Sequence, residues 1–187
     1  MVPATRPLDD PVEIEPIPEN LLREPIDYLY AEHFRQRLLC KLLDEISFDP
    51  EAREVMRHAA IILSYLEHDL PNHIADEEEE LFPRLLARCR PEDRIERVQR
   101  LLSEEHARDD TLSSSLLKEL RSLTAGSPLG RPDLFARATA AFSETQRRHL
   151  AWEDELVLPL ARERLTADDL LSMGRSMAAR RGVDYPA

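Results

Sequence analysis

The feature that most restricts this chain is a pattern that occurs twice. His73-Ile-Ala-Asp-Glu77 is followed by Leu81 and Pro83, and His149-Leu-Ala-Trp-Glu153 by Val157 and Pro159. In both, Glu follows His by four residues, an aliphatic residue stands at +8 and a proline at +10. On a helix, residues four apart project from one face, a turn from each other. An imidazole and a carboxylate so placed can reach one metal ion. A single His-x-x-x-Glu means little in a chain with 37 acidic residues, but two copies in one register draw on only six histidines. The competing explanation is two surface pairs, each worth a few tenths of a kcal/mol. It gives no reason for the shared flanks.

The rest of the chain favours helices. Glycine is scarce at 4 of 187 residues, and charged and aliphatic residues alternate at helical spacing over long stretches. The length suits one domain with a real core. A formal charge of −12 argues against a nucleic-acid partner, which normally meets a basic face. Cys40 and Cys89 are too few for a disulfide scaffold and lack metal-ligand spacing, so buried free thiols in a reducing compartment are expected. No apolar run reaches the roughly 18 residues of a membrane span, and no secretory signal is visible, so a cytoplasmic location without membrane attachment is expected.

Residues 1–20 carry Pro3, Pro7, Pro11, Pro16 and Pro18 and read as an extended tail, with Val12, Ile14 and Ile17 available to pack on the body. Residues 21–187 read as the folded domain. A first helix starts near Pro25, with Ile26, Leu29, Tyr30, His33, Phe34 and Leu38 in its apolar stripe. Asp49-Pro50 ends it, and Asp49 is a candidate N-cap for the next. The second helix runs from about 51 to 89, with Pro71 expected to kink it and Pro83 a second candidate break. The third spans about 92–123. The fourth begins at Pro132 after a Gly/Pro/Ser loop, with Leu134, Phe135, Phe142, His149 and Trp152 near its inner face. Thr166 with Asp169 predicts a capping box for a short fifth helix ending at Gly182. The fold expected is all-α: an up-down-up-down four-helix bundle with a short C-terminal helix and an extended Pro-rich N-terminal tail.

In an antiparallel hairpin, two residues stand level when their sequence midpoint falls on the turn. Glu77 and His106 centre between Pro91 and Glu92; His106 and His149 centre between Ser127 and Pro128; His33 and His73 centre on Arg53, close to the Asp49-Pro50 turn. All four helices therefore deliver a histidine to one level of the interior, and two add a glutamate one turn away. Four His and two Glu exceed one tetrahedral site. They suit two ions sharing carboxylate bridges, with iron, zinc or manganese the matching metals. His58 and His68 fall off this level or face. Glu78, Glu79 and Glu80 read as a solvated run, and Tyr30, Tyr65, Phe142 and Trp152 as core packing.

With His33, His73-x-x-x-Glu77, His106 and His149-x-x-x-Glu153 in this order, the chain resembles the hemerythrin-like, or HHE cation-binding, family. Ala31-Glu-His-Phe-Arg-Gln-Arg37, Asp76-Glu-Glu-Glu-Glu-Leu-Phe-Pro83 and Arg148-His-Leu-Ala-Trp-Glu153 carry the likeness, which covers about residues 21–181. The resemblance implies a non-haem di-iron centre with His33, His73, Glu77, His106, His149 and Glu153 as ligands and the two glutamates as bridges. Oxygen carriers of the family have a second histidine four residues after the one on the third helix; here that position is Asp110. This weakens reversible oxygen storage and favours iron handling or the sensing of oxygen or a related small molecule. Cluster-repair members carry an N-terminal cysteine-bearing region, and residues 1–20 hold no Cys. Two other readings stay open. One is an iron-dependent oxidoreductase acting on peroxide or nitric oxide; the other is an interaction module whose metal staples the fold. The acidic surface and the Pro-rich tail could serve a protein partner whose identity the sequence leaves open, and a homodimer is compatible with the sequence.

Overall fold

The computed structural model describes residues 14–49 and 54–186, and the side chains of all of these except residues 109–112. The described residues form helices and connections, with no strand among them. Residues 1–13 of the expected tail, Val12 included, lie outside the described residues, as do the turn at Pro50 and the side chain of Asp110. Ile14 and Ile17 do pack against the body.

Helix α1 spans Pro25–Phe48, opened by a proline whose missing N–H costs nothing in a first turn. Asp49 is its C-terminal cap position, donating its N–H to Glu45 at 3.1 Å. The second rod is α2 (Val55–Ser64), α3 (Leu70–Ala75) and α4 (Phe82–Arg88), joined without a break by π-turns at Tyr65–Asp69 and Asp76–Leu81. The third is α5, Ile95–Thr124. The fourth is α6 (Pro132–Trp152), a π-turn at Glu153–Val157, and α7 (Leu158–Arg164). Helix α8, Ala167–Arg180, starts with the expected capping box: Asp169 N–H donates to Thr166 Oγ1 at 3.2 Å, and Thr166 N–H to Asp169 Oδ2 at 3.0 Å. Prolines 71, 83 and 159 therefore do not end their rods. Each follows a turn that has taken in one extra residue.

α5 and α8 both stop in a Schellman arrangement. Gly126 and Gly182 take φ values of +71° and +67°, which a Cβ disfavours. Ser127 N–H reaches Ser122 O and Val183 N–H reaches Ala178 O, at 3.0 and 3.1 Å.

α1 packs on α2 and α6, and α5 on the same two, giving a helical bundle, with α8 packed against α1, the π-turn Asp76–Leu81 and the 3₁₀ turn Glu19–Arg23. The apolar interior falls into two clusters. One gathers Leu22, Ile26 and Leu29 with Leu81, Phe82, Leu85, Ile95, Leu102, Val157, Ala161 and the α8 residues Met173 and Met177. The other gathers Leu39, Leu43, Ile46, Ala59, Ile62, Tyr65, Leu116, Leu120, Phe135 and Phe142. On every rod a buried histidine lies in sequence between the residues of the two clusters. Three residues expected inside are not: Phe34, Leu134 and Trp152 are 62%, 45% and 52% exposed. Each stands beside a truly inward residue (His33, Phe135, Glu153), and a broad apolar stripe does not fix its own edges.

Candidate metal centre

His33, His73, Glu77, His106, His149 and Glu153 all lie in the interior, and both glutamates are fully buried. One donor atom from each of His33, His73, Glu77 and Glu153 falls within a 4.8 Å group; so does one from each of Glu77, His106, His149 and Glu153. The two groups share both glutamates. Glu77 turns Oε1 to His73 Nε2 (3.2 Å) and His33 Nε2 (3.6 Å), and Oε2 to His106 Nε2 (3.2 Å). Glu153 turns Oε2 to His33 Nε2 (3.4 Å) and Oε1 to His149 Nε2 (3.2 Å). Each carboxylate thus divides its oxygens between two clusters of imidazole.

The donors fit a cation by what they lack. Neither oxygen of Glu77 or Glu153 has a hydrogen-bond partner, nor does His33 Nε2. A buried carboxylate left so costs several kcal/mol unless a charge compensates it. The Nε2 atoms of His106 and His149 stand 3.1 Å apart, so two imidazoles meet nitrogen to nitrogen with room for one proton between them. Imidazole nitrogens with carboxylate oxygens suit iron, zinc or manganese rather than a soft thiolate-bound metal.

The outer nitrogens of three rings are held by carboxylates. His33 Nδ1 donates to Asp154 at 2.6 Å, His106 Nδ1 to Glu78 at 2.6 Å, and His149 Nδ1 to Glu105 at 3.2 Å. Such bonds fix the tautomer that turns Nε2 and its lone pair inward, and they raise the ring's basicity. Arg37 steadies Asp154, Ser103 Oγ donates to Glu78 at 2.8 Å, and Arg148 donates to Glu105 at 2.6 Å. His73 Nδ1 has no partner. Its counterpart to Glu105 would be Glu32, which is instead held by Arg35 (2.9 Å) and the Tyr65 hydroxyl (3.0 Å).

The electrostatics without a metal follow. Burial works against a charged His33, but Asp154 and Glu77 outweigh it and raise the ring to about 9. His106 is likewise depressed by burial and lifted by Glu77 and Glu78, to about 9. His149, despite burial, is raised well above the usual imidazole range by Glu153 and Glu105. Burial pushes Glu77 up, and the surrounding histidines, His73 first, pull it well below the usual carboxylate range. The bond from His149 draws Glu105 down to about 2.

Glu78, Asp154 and Glu105 are the residues that the sequence did not single out as part of a site. Each is the immediate chain neighbour of an expected donor (Glu77, Glu153, His106). The acidic run after His73 is not a solvated face either. Glu80 is nearly buried, and Asp76, fully buried, pairs with Arg180 and with Arg181 at 2.6 Å. Only Glu79 fits that description. Tyr30 is half-buried beside His33, their rings 6.4 Å apart, while His58 and His68 stay outside the cluster, His68 exposed and bonded to Ser64 O at 2.9 Å. Cys40 is buried, Cys89 partly so, and neither forms a disulfide. No helix among the described residues is long and apolar enough to cross a membrane.

An uncharacterized protein of Haemophilus influenzae is 30% identical over 179 residues, covering 91% of this chain and 97% of that protein. The family model described as the hemerythrin HHE cation binding domain matches residues 24–161, a span that holds all six donors. The chain therefore belongs to the hemerythrin HHE cation-binding domain family, whose members bind metal cations, usually iron.

Proposed function

We propose that this protein is a non-haem di-iron protein that binds or senses dioxygen or a related small molecule, or holds iron, with His33, His73, Glu77, His106, His149 and Glu153 as the ligands. The observation that carries the reading is the division of each glutamate between the two histidine pairs. One ion would be held by His33 and His73 and the other by His106 and His149, with Glu77 and Glu153 available to both. Four protein donors per ion leave coordination positions for water or a small molecule. Bound iron would supply a ferrous–ferric couple and an affinity for dioxygen. The protein's share is to aim the Nε2 atoms of His33, His106 and His149 inward through Asp154, Glu78 and Glu105, and to keep the oxygens of Glu77 and Glu153 away from bulk water.

We also infer that the four rods alternate in direction. Supporting this, one apolar cluster draws on the start of the first and third rods and the end of the second and fourth, and the other cluster does the reverse. A cytoplasmic setting and dioxygen as the partner molecule belong to the same proposal.

The test is metal content with absorption spectra of anaerobic protein before and after exposure to air. Two iron atoms per chain and a reversible change in the visible spectrum are expected. Iron-loaded protein whose spectrum ignores air would contradict the small-molecule part. Steady turnover of peroxide or nitric oxide, lost in Glu153→Ala, would move the assignment to an oxidoreductase.

A further inference from the structure

Three prolines lie inside rods, and the turn before each is π. The N–H of Leu70 reaches Tyr65 O, that of Phe82 reaches Glu77 O, and that of Leu158 reaches Glu153 O, each five residues back. The next residue in each case is Pro71, Pro83 or Pro159. In two of the three, the residue whose carbonyl closes the widened turn is the bridging glutamate.

We propose that Pro83 and Pro159 are positioning residues of the metal centre, each holding the π-turn on which the placement of Glu77 or Glu153 depends. A proline has no N–H to give the carbonyl four residues back, and its ring crowds that carbonyl. A turn with one extra residue relieves the crowding, and the residue before the proline supplies the bond to the glutamate carbonyl.

The consequence lies in which side chains share a face. His73, Glu77, Leu81 and Leu85 are all buried and spaced by four, as are His149, Glu153, Val157 and Ala161. In an uninterrupted α-helix three steps of four would carry the last residue about 120° around the rod from the first. With one residue absorbed by the turn, the drift falls to about 20°. Donor histidine, bridging glutamate and core aliphatics line up only because the turn is π. In α register, either the glutamate leaves the centre or the aliphatics leave the core.

This inference rests on the di-metal reading, and the experiment separates the two. Full-length wild type, Pro83→Ala, Pro159→Ala, the double variant and Pro71→Ala are compared. Amide hydrogen exchange at Phe82 and Leu158 is measured in metal-free protein, and ferrous-iron affinity by competition with a chromophoric chelator. The π-turn of Pro71 holds no donor, so that variant is the control. Expected are faster exchange at Phe82 in Pro83→Ala and at Leu158 in Pro159→Ala, and an iron affinity at least about tenfold lower in both, with affinity unchanged in Pro71→Ala. Wild-type exchange and affinity in both single variants would overturn the proposal. So would an equal loss of affinity in Pro71→Ala, which would mean general loosening. Absence of iron uptake by wild type would count against the di-metal reading, while the exchange data would still judge the turns.

Discussion

Glu78 and Glu79 are neighbours with opposite roles. Glu78 holds His106 Nδ1 at 2.6 Å, whereas the Glu79 side chain is 66% exposed and pairs with Arg180. Exchanging Glu78 for Gln keeps the shape and removes the charge that orients and enriches the ring. Iron affinity in Glu78→Gln should fall about tenfold or more, while Glu79→Gln should bind as wild type in the same chelator competition. His33 and His106 titrate near 9 in the metal-free protein, above the roughly 6.5 of an unfolded chain. Their raised values stabilise the metal-free fold fully below pH ~6.5 and lose that contribution as pH rises through about 9. Metal-free Tm should therefore fall across this window while iron affinity climbs, and loading at pH 7 should release protons. A metal-free Tm that rises over the window would contradict the assignment. The convergence of the six candidate donors was legible in the sequence because they repeat; the carboxylates behind the rings were not, because nothing in one chain separates an inward Glu from a solvated one.

At the scale of the element, the rods were legible from their apolar period and caps, and Thr166, Gly126 and Gly182 act as their residue types dictate. The π-turns were not. Proline in a helix reads as a kink, yet the strict spacing of four from His73 to Leu85 carries the signal, since in a plain α-helix each step of four drifts by about 40° and three steps by about 120°. α8 shows a different element-scale constraint. A Cβ on Gly174 would stand 2.3 Å from Leu22 O and 3.0 Å from the Tyr185 ring, where helix meets the N-terminal 3₁₀ turn Glu19–Arg23. Backbone cannot yield as a flexible side chain does. Gly174→Ala should cost about 1–3 kcal/mol, read as a lower Tm, with iron stoichiometry unchanged because no donor is touched. A Tm equal to wild type would mean that α8 docks less tightly than the contact implies.

The whole molecule is two apolar cores with a polar layer between them. The midpoint rule found that layer because helix rise is constant, so equal sequence distances from a turn place residues level. It could not say which edge residues turn out, and Phe34 and Trp152 do. Buried donors without partners make the metal-free fold less stable than the loaded one, since ions that bind only the folded state add stability by mass action. Removing iron with a chelator should lower Tm, with an effect of about 4 kcal/mol per bound ion at a free-ion concentration a thousandfold above Kd. His106→Ala should shrink that difference without abolishing folding. That Glu77 and Glu153 hold two ions between them is tested by anomalous scattering at the iron edge from crystals of reconstituted protein. Two peaks about 3.5–4 Å apart are expected, one flanked by His33 and His73 and the other by His106 and His149. A single peak, or none inside the bundle, would contradict it.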